Sequence, residues 1–351
     1  MELFLMEVYN FRPLPATFNL KNIAKITSPV CGPGRVSPHG HQVERALRDW
    51  FMSFNFPDLS QALVHLDQCN EIATYYFPDA DVKRLEACAA SMYFALAVDD
   101  TLLHATTEPD RMKSLVDTYV QAIYQENFSS PNPYAMMVHD ISKRIQMTAS
   151  PGNCTRYQQG LEEYFRTGVS DAGRRSQNQI PSISEYLLVR RVCVGGIFTW
   201  AHVEYALEIN LPDSVFSDPV FIELTTAATD IMALQNDLVS FNKEQAGDEY
   251  LNFVCSIMVE KRVELQEAID TLVAMTETRV GEYVNLKAQF PVFGPGVDSE
   301  VARYFAGIEQ LLQGGIVWSY FTSRYFAAEV LGDLTHESLV IDLKKMKASA
   351  T

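Results

Sequence analysis

Apolar residues recur at helical spacing from about position 41 to about position 328, in runs separated by Gly, Pro and short polar breaks. The pattern predicts helices over 41–51, where Val43, Ala46, Leu47, Trp50 and Phe51 share a face, and over 59–69, with a short helix leading to Phe77. A helix over 81–100 opens on the acidic start signals Asp79 and Asp81 and is apolar over much of its surface in its second half, the mark of a buried element. Further helices are expected over about 108–126, 134–148, 153–169, 182–208, 218–244, 251–259, 261–287 and 298–328. The 182–208 run is interrupted by Gly195-Gly196, a natural place for a helix to break and bare a carbonyl.

Outside these runs the pattern weakens. Residues 1–40 carry five prolines between 13 and 38 and read as an irregular N-terminal arm. Residues 170–181 are polar and read as a surface loop, and 331–351 read as a tail that frays at its lysine-rich end. No strand alternation of useful length and no fixed repeat is visible. The expected architecture is therefore all-α, with one helical domain over 41–330.

Composition narrows the class. The 351 residues are 47% hydrophobic and 21% charged, with 20 Phe, 16 Tyr and 3 Trp, enough for a large core and incompatible with disorder. The net charge of −16 argues against nucleic-acid binding, though not against an anionic substrate met through metal ions. Six scattered cysteines without a CxxC pair fit reduced core thiols better than a disulfide framework. The first ten residues carry no basic segment, and no uncharged apolar run approaches about 18 residues, so a cytoplasmic protein without a membrane span is expected.

Chemistry is concentrated in four polar groups set in apolar helices. Asn236, Ser240 and Glu244 fall within about 80° of one another at roughly 100° per residue, so an amide, a hydroxyl and a carboxylate line one helix face. All three offer oxygen, the donor preferred by Mg²⁺; Lys243 adds a cation beside them. Asp99-Asp100 ends the buried 81–100 helix, where paired acids are costly unless they meet cations. Arg190-Arg191 and Arg324-Tyr325 supply cations and a ring. Taken singly, each has a plainer explanation: a wet helix face, a solvated acid pair, a core ion pair. His104 lacks a second His at helical spacing, which argues against zinc or a di-iron centre. Together the four groups suit a diphosphate, with metals bridging its oxygens and Arg and Lys neutralising the rest. Loss of an allylic diphosphate leaves a carbocation, which needs a dry, aromatic-walled cavity.

The order and spacing of these motifs over about 45–330 resemble the class I terpene synthases of fungi and bacteria, which share the isoprenoid-synthase helical fold. VDDTLLH is similar to their aspartate-rich motif, and NDLVSFNKE to their second metal motif. RRVCVG begins 46 residues before Asn236, and an Arg-Tyr pair follows near the C-terminus. The resemblance implies a lyase of fungal secondary metabolism, a sesquiterpene cyclase acting on farnesyl diphosphate. It implies three Mg²⁺ ions, held by Asp99 and Asp100 on one wall and by Asn236, Ser240 and Glu244 on the other. It gives Arg190, Lys243, Arg324 and Tyr325 to the diphosphate, with Asp237 in support and Arg190 drawing the Val194 carbonyl toward the substrate. Phe94, Val194 and Trp318 are expected on the cavity wall. Leu103 stands where the family often has an acid, implying weaker support for the first metal wall, and Cys193 stands where Thr or Asp is common, leaving the coupling at Arg190 open. Family members occur as monomers or homodimers. A chain-elongating prenyltransferase, which would use two aspartate-rich motifs, and a catalytically silent isoprenoid-binding protein are the alternatives.

Overall fold

In the computed structural model the described residues are 14–345, other than 33, 57–58, 70, 101–107, 178, 327–331 and 333. They form fifteen helices and two short strands. In chain order these are β1 (Thr17–Lys21), α1 (Ile23–Thr27), α2 (Gly40–Met52), α3 (Leu59–Cys69), α4 (Ile72–Tyr76), α5 (Val82–Val98) and α6 (Pro109–Tyr124). Then come α7 (Pro133–Gln146), α8 (Pro151–Ser176), α9 (Ile183–Cys193), α10 (Gly196–Ala206), α11 (Asp213–Phe216) and α12 (Pro219–Ala246). The chain closes with α13 (Phe253–Lys261), α14 (Leu265–Lys287), α15 (Pro295–Phe321) and β2 (Ser338–Asp342). The all-α expectation holds.

Local chemistry explains where the long helices start. Asp81, Asn132, Ser150, Ser182 and Asp218 each accept a backbone N–H from the first turn of the helix that follows. Proline occupies the first turn of α6, α7, α8, α12 and α15, where its missing N–H costs nothing. Helix α5 is buried nearly all round, with Leu85, Cys88, Met92, Phe94 and Val98 in the core, and it delivers Asp99 at its C-terminal end. One contiguous apolar cluster runs from Phe18 to Ile341. At Gly314 a side chain would collide with the Tyr75 carbonyl, so a glycine is what lets α4 lie directly on α15.

Three expectations are corrected. The N-terminal arm is not irregular throughout: β1 pairs antiparallel with β2 of the tail, burying Phe18 and Leu20 opposite Ile341 and Leu339. Residues 170–176 are helical, not a loop, because α8 continues through the Arg174–Asp171 ion pair and ends on Arg174 and Arg175, which complement its negative end. Helix α15 stops at Phe321, so Arg324 and Tyr325 follow it in a turn in which Thr322 accepts the Arg324 N–H. Of the three tail lysines, Lys344 is held, its backbone N–H donating to Asn242 Oδ1 at 2.8 Å, while Lys347, like Leu103 and His104, lies outside the described residues. All six cysteines are free, and among the described residues no helix is long and apolar enough to cross a membrane.

Candidate active site

The last turns of α12 form one wall of the site. Asp237, 0% exposed, accepts from Arg190 Nε at 2.9 Å through one oxygen and from the Phe253 backbone N–H at 2.7 Å through the other. Burial pushes its carboxyl above the usual range while Arg190 pulls it down, and Asp237 in turn holds the Arg190 guanidinium charged against that burial. Arg190 also donates to Asn236 Oδ1 at 2.5 Å and to Cys193 Sγ at 3.6 Å. Cys193 thus keeps a polar link to Arg190 where the resemblance left one open. Arg191 faces elsewhere: it pairs with Asp230, which also binds Arg279, in a structural network.

Asn252 went unnoticed in the sequence and organises this wall. Its amide nitrogen donates to Glu244 Oε2 at 2.9 Å and to the Asp237 carbonyl at 3.0 Å, while its amide oxygen caps α13 at Val254. An Asn just before an apolar helical run is an N-cap signal, and that signal was available in the sequence.

The opposite wall is the end of α5. Asp100 accepts from Lys243 Nζ at 2.6 Å, from Arg324 Nη2 at 2.9 Å and from Arg324 Nη1. Burial opposes the charge on Asp100, but Arg324 and then Lys243 outweigh it and hold the carboxyl below its usual range. Arg324 is 5% exposed, with its guanidinium 5.5 Å from the centre of the Tyr325 ring. Asp99 lines a polar recess with Tyr164, Arg190 and Cys193. Lys243 of α12 thereby ties the two walls together.

Next to these walls, between α5 and α12, lies a mostly apolar cavity lined by Tyr76, Met92, Val194, Phe198, Trp318 and Tyr325 among others. Trp318 meets Tyr325 edge to face at 6.0 Å. Val194 and Trp318 line the cavity. Phe94 does not line this cavity: it is 1% exposed and packs edge-on against Tyr119 and Phe165 in the core, while its neighbours Met92, Ala95 and Leu96 face the cavity. On α5 the facing positions are set by helical phase, and residue 94 points away from it. Phe198 and Tyr76 are wall residues that sequence reasoning missed; nothing in their local pattern distinguishes them from core.

Residues 90–282 match the family model described as terpene synthase family 2, C-terminal metal binding. The chain is 27% identical over 339 residues to sesquiterpene synthase Agr1 of Cyclocybe aegerita, across 95% of this chain and 96% of that one. It is 30% identical over 305 residues to a delta(6)-protoilludene synthase of Armillaria gallica, across 84% and 86% of the two chains. This chain belongs to the terpene synthase family. The resemblance to class I terpene synthases and the lyase expectation therefore stand. Among solved structures, germacradien-4-ol synthase from Streptomyces citricolor superimposes with a TM-score of 0.71 at 20% identity, covering 82% of this chain and 95% of that one, which shows the shared fold.

A terpene synthase of this family binds divalent metal, and the α12 wall fits one. Ser240 is 2% exposed and its Oγ is buried with no hydrogen-bond partner among the described residues. It sits one turn after the Asn236 amide and one turn before the Glu244 carboxylate, so three oxygen donors share one face. A buried hydroxyl left without a partner is uncommon and calls for a ligand. Among the described residues no three His, Cys, Asp or Glu side chains are grouped to hold a metal, so the amide and hydroxyl oxygens are needed to complete the set.

Proposed function

We propose that this terpene synthase ionises farnesyl diphosphate in a Mg²⁺-dependent reaction and cyclises the resulting cation to a sesquiterpene, releasing diphosphate. The observation that carries the reading is the pair of facing walls, Asp99-Asp100 and Asn236/Ser240/Glu244, set with Arg190, Lys243 and Arg324 above an apolar, aromatic cavity. Three Mg²⁺ ions, when bound to these oxygens, would neutralise the diphosphate and make it a better leaving group.

The residues of the chain supply the rest. Lys243 and Arg324 are held on Asp100 in this structure. An arriving diphosphate gives both cations a new anion, which frees the two Asp100 oxygens for metal. Arg190 binds the diphosphate from the α9 side, and Tyr325 orders Arg324 through its ring. The Val194 N–H donates to the Arg190 carbonyl at 2.9 Å, so a pull on Arg190 is passed to the break at Gly195, whose left-handed backbone (φ 78°) only glycine adopts readily. The wall of Trp318, Phe198 and Tyr76 keeps bulk water from the cation and presents aromatic rings to it. The sesquiterpene synthases among the relatives favour the fifteen-carbon substrate. Incubation of Glu244→Gln with farnesyl diphosphate and Mg²⁺ tests the site: turnover should fall by about a hundredfold or more, on the scale expected when a metal ligand or the group orienting it is lost, and near-wild-type turnover would refute the assignment.

A further inference from the structure

The cavity wall contains a buried amide that this mechanism does not use. Gln235 is 3% exposed, lines the apolar cavity, and its Nε2 is buried without a hydrogen-bond partner among the described residues. Exchanging the amide nitrogen and oxygen would leave an unmet acceptor in place of an unmet donor, so the deficit does not depend on how the amide is turned. Its neighbours one turn away on the cavity face of α12 are Met232 and Val239, and a methionine at 235 would fill the same space at no polar cost. An amide kept in such a place needs a polar ligand from inside the cavity.

The position narrows the ligand. Helices α9 and α10 run antiparallel to α12, with Arg190 against Asn236 and Asp237 and Trp200 against Thr229. Gln235 therefore sits just beneath the charged end, where the apolar cavity begins. The hydrocarbon part of the substrate has no hydrogen-bond acceptor, and the diphosphate has its own cations. A water molecule is the remaining candidate, provided it finds two or more polar partners. Thr199, on α10 and 5% exposed, lines the same cavity and offers a hydroxyl. Ser319 also lines it, but its hydroxyl hydrogen is already donated to the Gly315 carbonyl at 2.7 Å.

We propose that Gln235, with Thr199, holds a water molecule that ends the reaction, and that the principal product is consequently a terpene alcohol. This rests on the farnesyl diphosphate reading above. A lone pair of the water oxygen forms the C–O bond to the cyclised carbocation. The oxonium so formed then loses one proton to the diphosphate waiting at the charged end. Overall, farnesyl diphosphate and water give an alcohol of fifteen carbons and hydrogen diphosphate, with no oxidation or reduction.

The test is turnover of farnesyl diphosphate with Mg²⁺ in ¹⁸O-labelled water by the full chain, read by gas chromatography and mass spectrometry. The wild type should give mainly an alcohol carrying one ¹⁸O. Gln235→Met should lower the ratio of alcohol to hydrocarbon at least tenfold, and Thr199→Val should shift it the same way; circular dichroism verifies that each variant is folded. Turnover by the wild type to hydrocarbon alone overturns the inference, as does an alcohol ratio unchanged in both variants. An unchanged ratio with a raised KM in Gln235→Met would assign the amide to the diphosphate and also overturn it. Failure of the wild type to consume farnesyl diphosphate would instead remove the functional reading and this inference with it.

Discussion

Replacing Asp237 by Asn isolates the charge on which the α12 wall is built. The substitution keeps the shape but leaves Arg190, whose side chain is 13% exposed, without its buried anion. Two things are lost in the structure. Arg190 Nη2 stands 2.8 Å from Asp237 Oδ1 and loses a charge-assisted contact, and the Phe253 N–H, now 2.7 Å from Oδ2, meets an amide NH₂ if the other oxygen stays on Arg190. Breaking a buried pair from one side costs about 3–5 kcal/mol. At roughly 2–4 °C per kcal/mol for a chain of this size or somewhat smaller, Tm should fall by about 6–20 °C. Thermal unfolding followed by circular dichroism, at matched pH and without metal, measures it. The double variant Arg190→Leu with Asp237→Leu should recover part of the loss, because no unpaired charge remains. A Tm for Asp237→Asn within about 1 °C of wild type would refute the reasoning, since it would mean that the pair is not held as a buried unit.

Other outcomes follow from the same geometry. Asn252→Ala frees Glu244 and should weaken the apparent Mg²⁺ affinity by about 10–100-fold, read from the metal dependence of turnover. Removal of divalent metal with a chelator should abolish product formation and added Mg²⁺ should restore it; activity that survives chelation would contradict the metal assignment. His202 is buried among Phe77, Tyr157 and Phe198, and burial lowers its pKa from 6.5 to about 4. Between those values the unfolded chain takes up a proton that the folded chain refuses, so stability is complete above about pH 6.5 and is lost as pH falls toward 4. His202→Gln should flatten that part of the Tm–pH curve, and an unchanged slope would show that the titration lies elsewhere.

What could be read from the sequence, and what could not, follows the range of the interactions. The α3 helix was legible to the residue, Leu59–Cys69, because its periodicity and flanking breaks are local. The break at Gly195 was legible for the same reason. The strands β1 and β2 were not, since five residues of alternation around Phe18 and Leu20 mean nothing until Leu339 and Ile341 are brought opposite them. Polarity misled at the end of α8: Asp171, Arg174 and Arg175 read as loop residues, yet an i,i+3 ion pair and a basic last turn extend a helix. In the site, Asn236, Ser240 and Glu244 could be placed on one face from spacing alone. That Asp100 would already be held by Lys243 and Arg324 depends on contacts across 143 and 224 residues, which no local pattern encodes. Phe94 illustrates the same limit, because an aromatic residue of a helix buried all round can face either core or cavity.

The central claim is that the two walls act on one diphosphate above the cavity. Its most direct test is incubation of the purified protein with farnesyl diphosphate and Mg²⁺, quantifying released diphosphate and extracted products in the same reaction. The account predicts diphosphate release matched mole for mole by cyclic fifteen-carbon products, both abolished by chelation. Binding of farnesyl diphosphate without diphosphate release, or consumption of isopentenyl diphosphate with chain elongation, would contradict it.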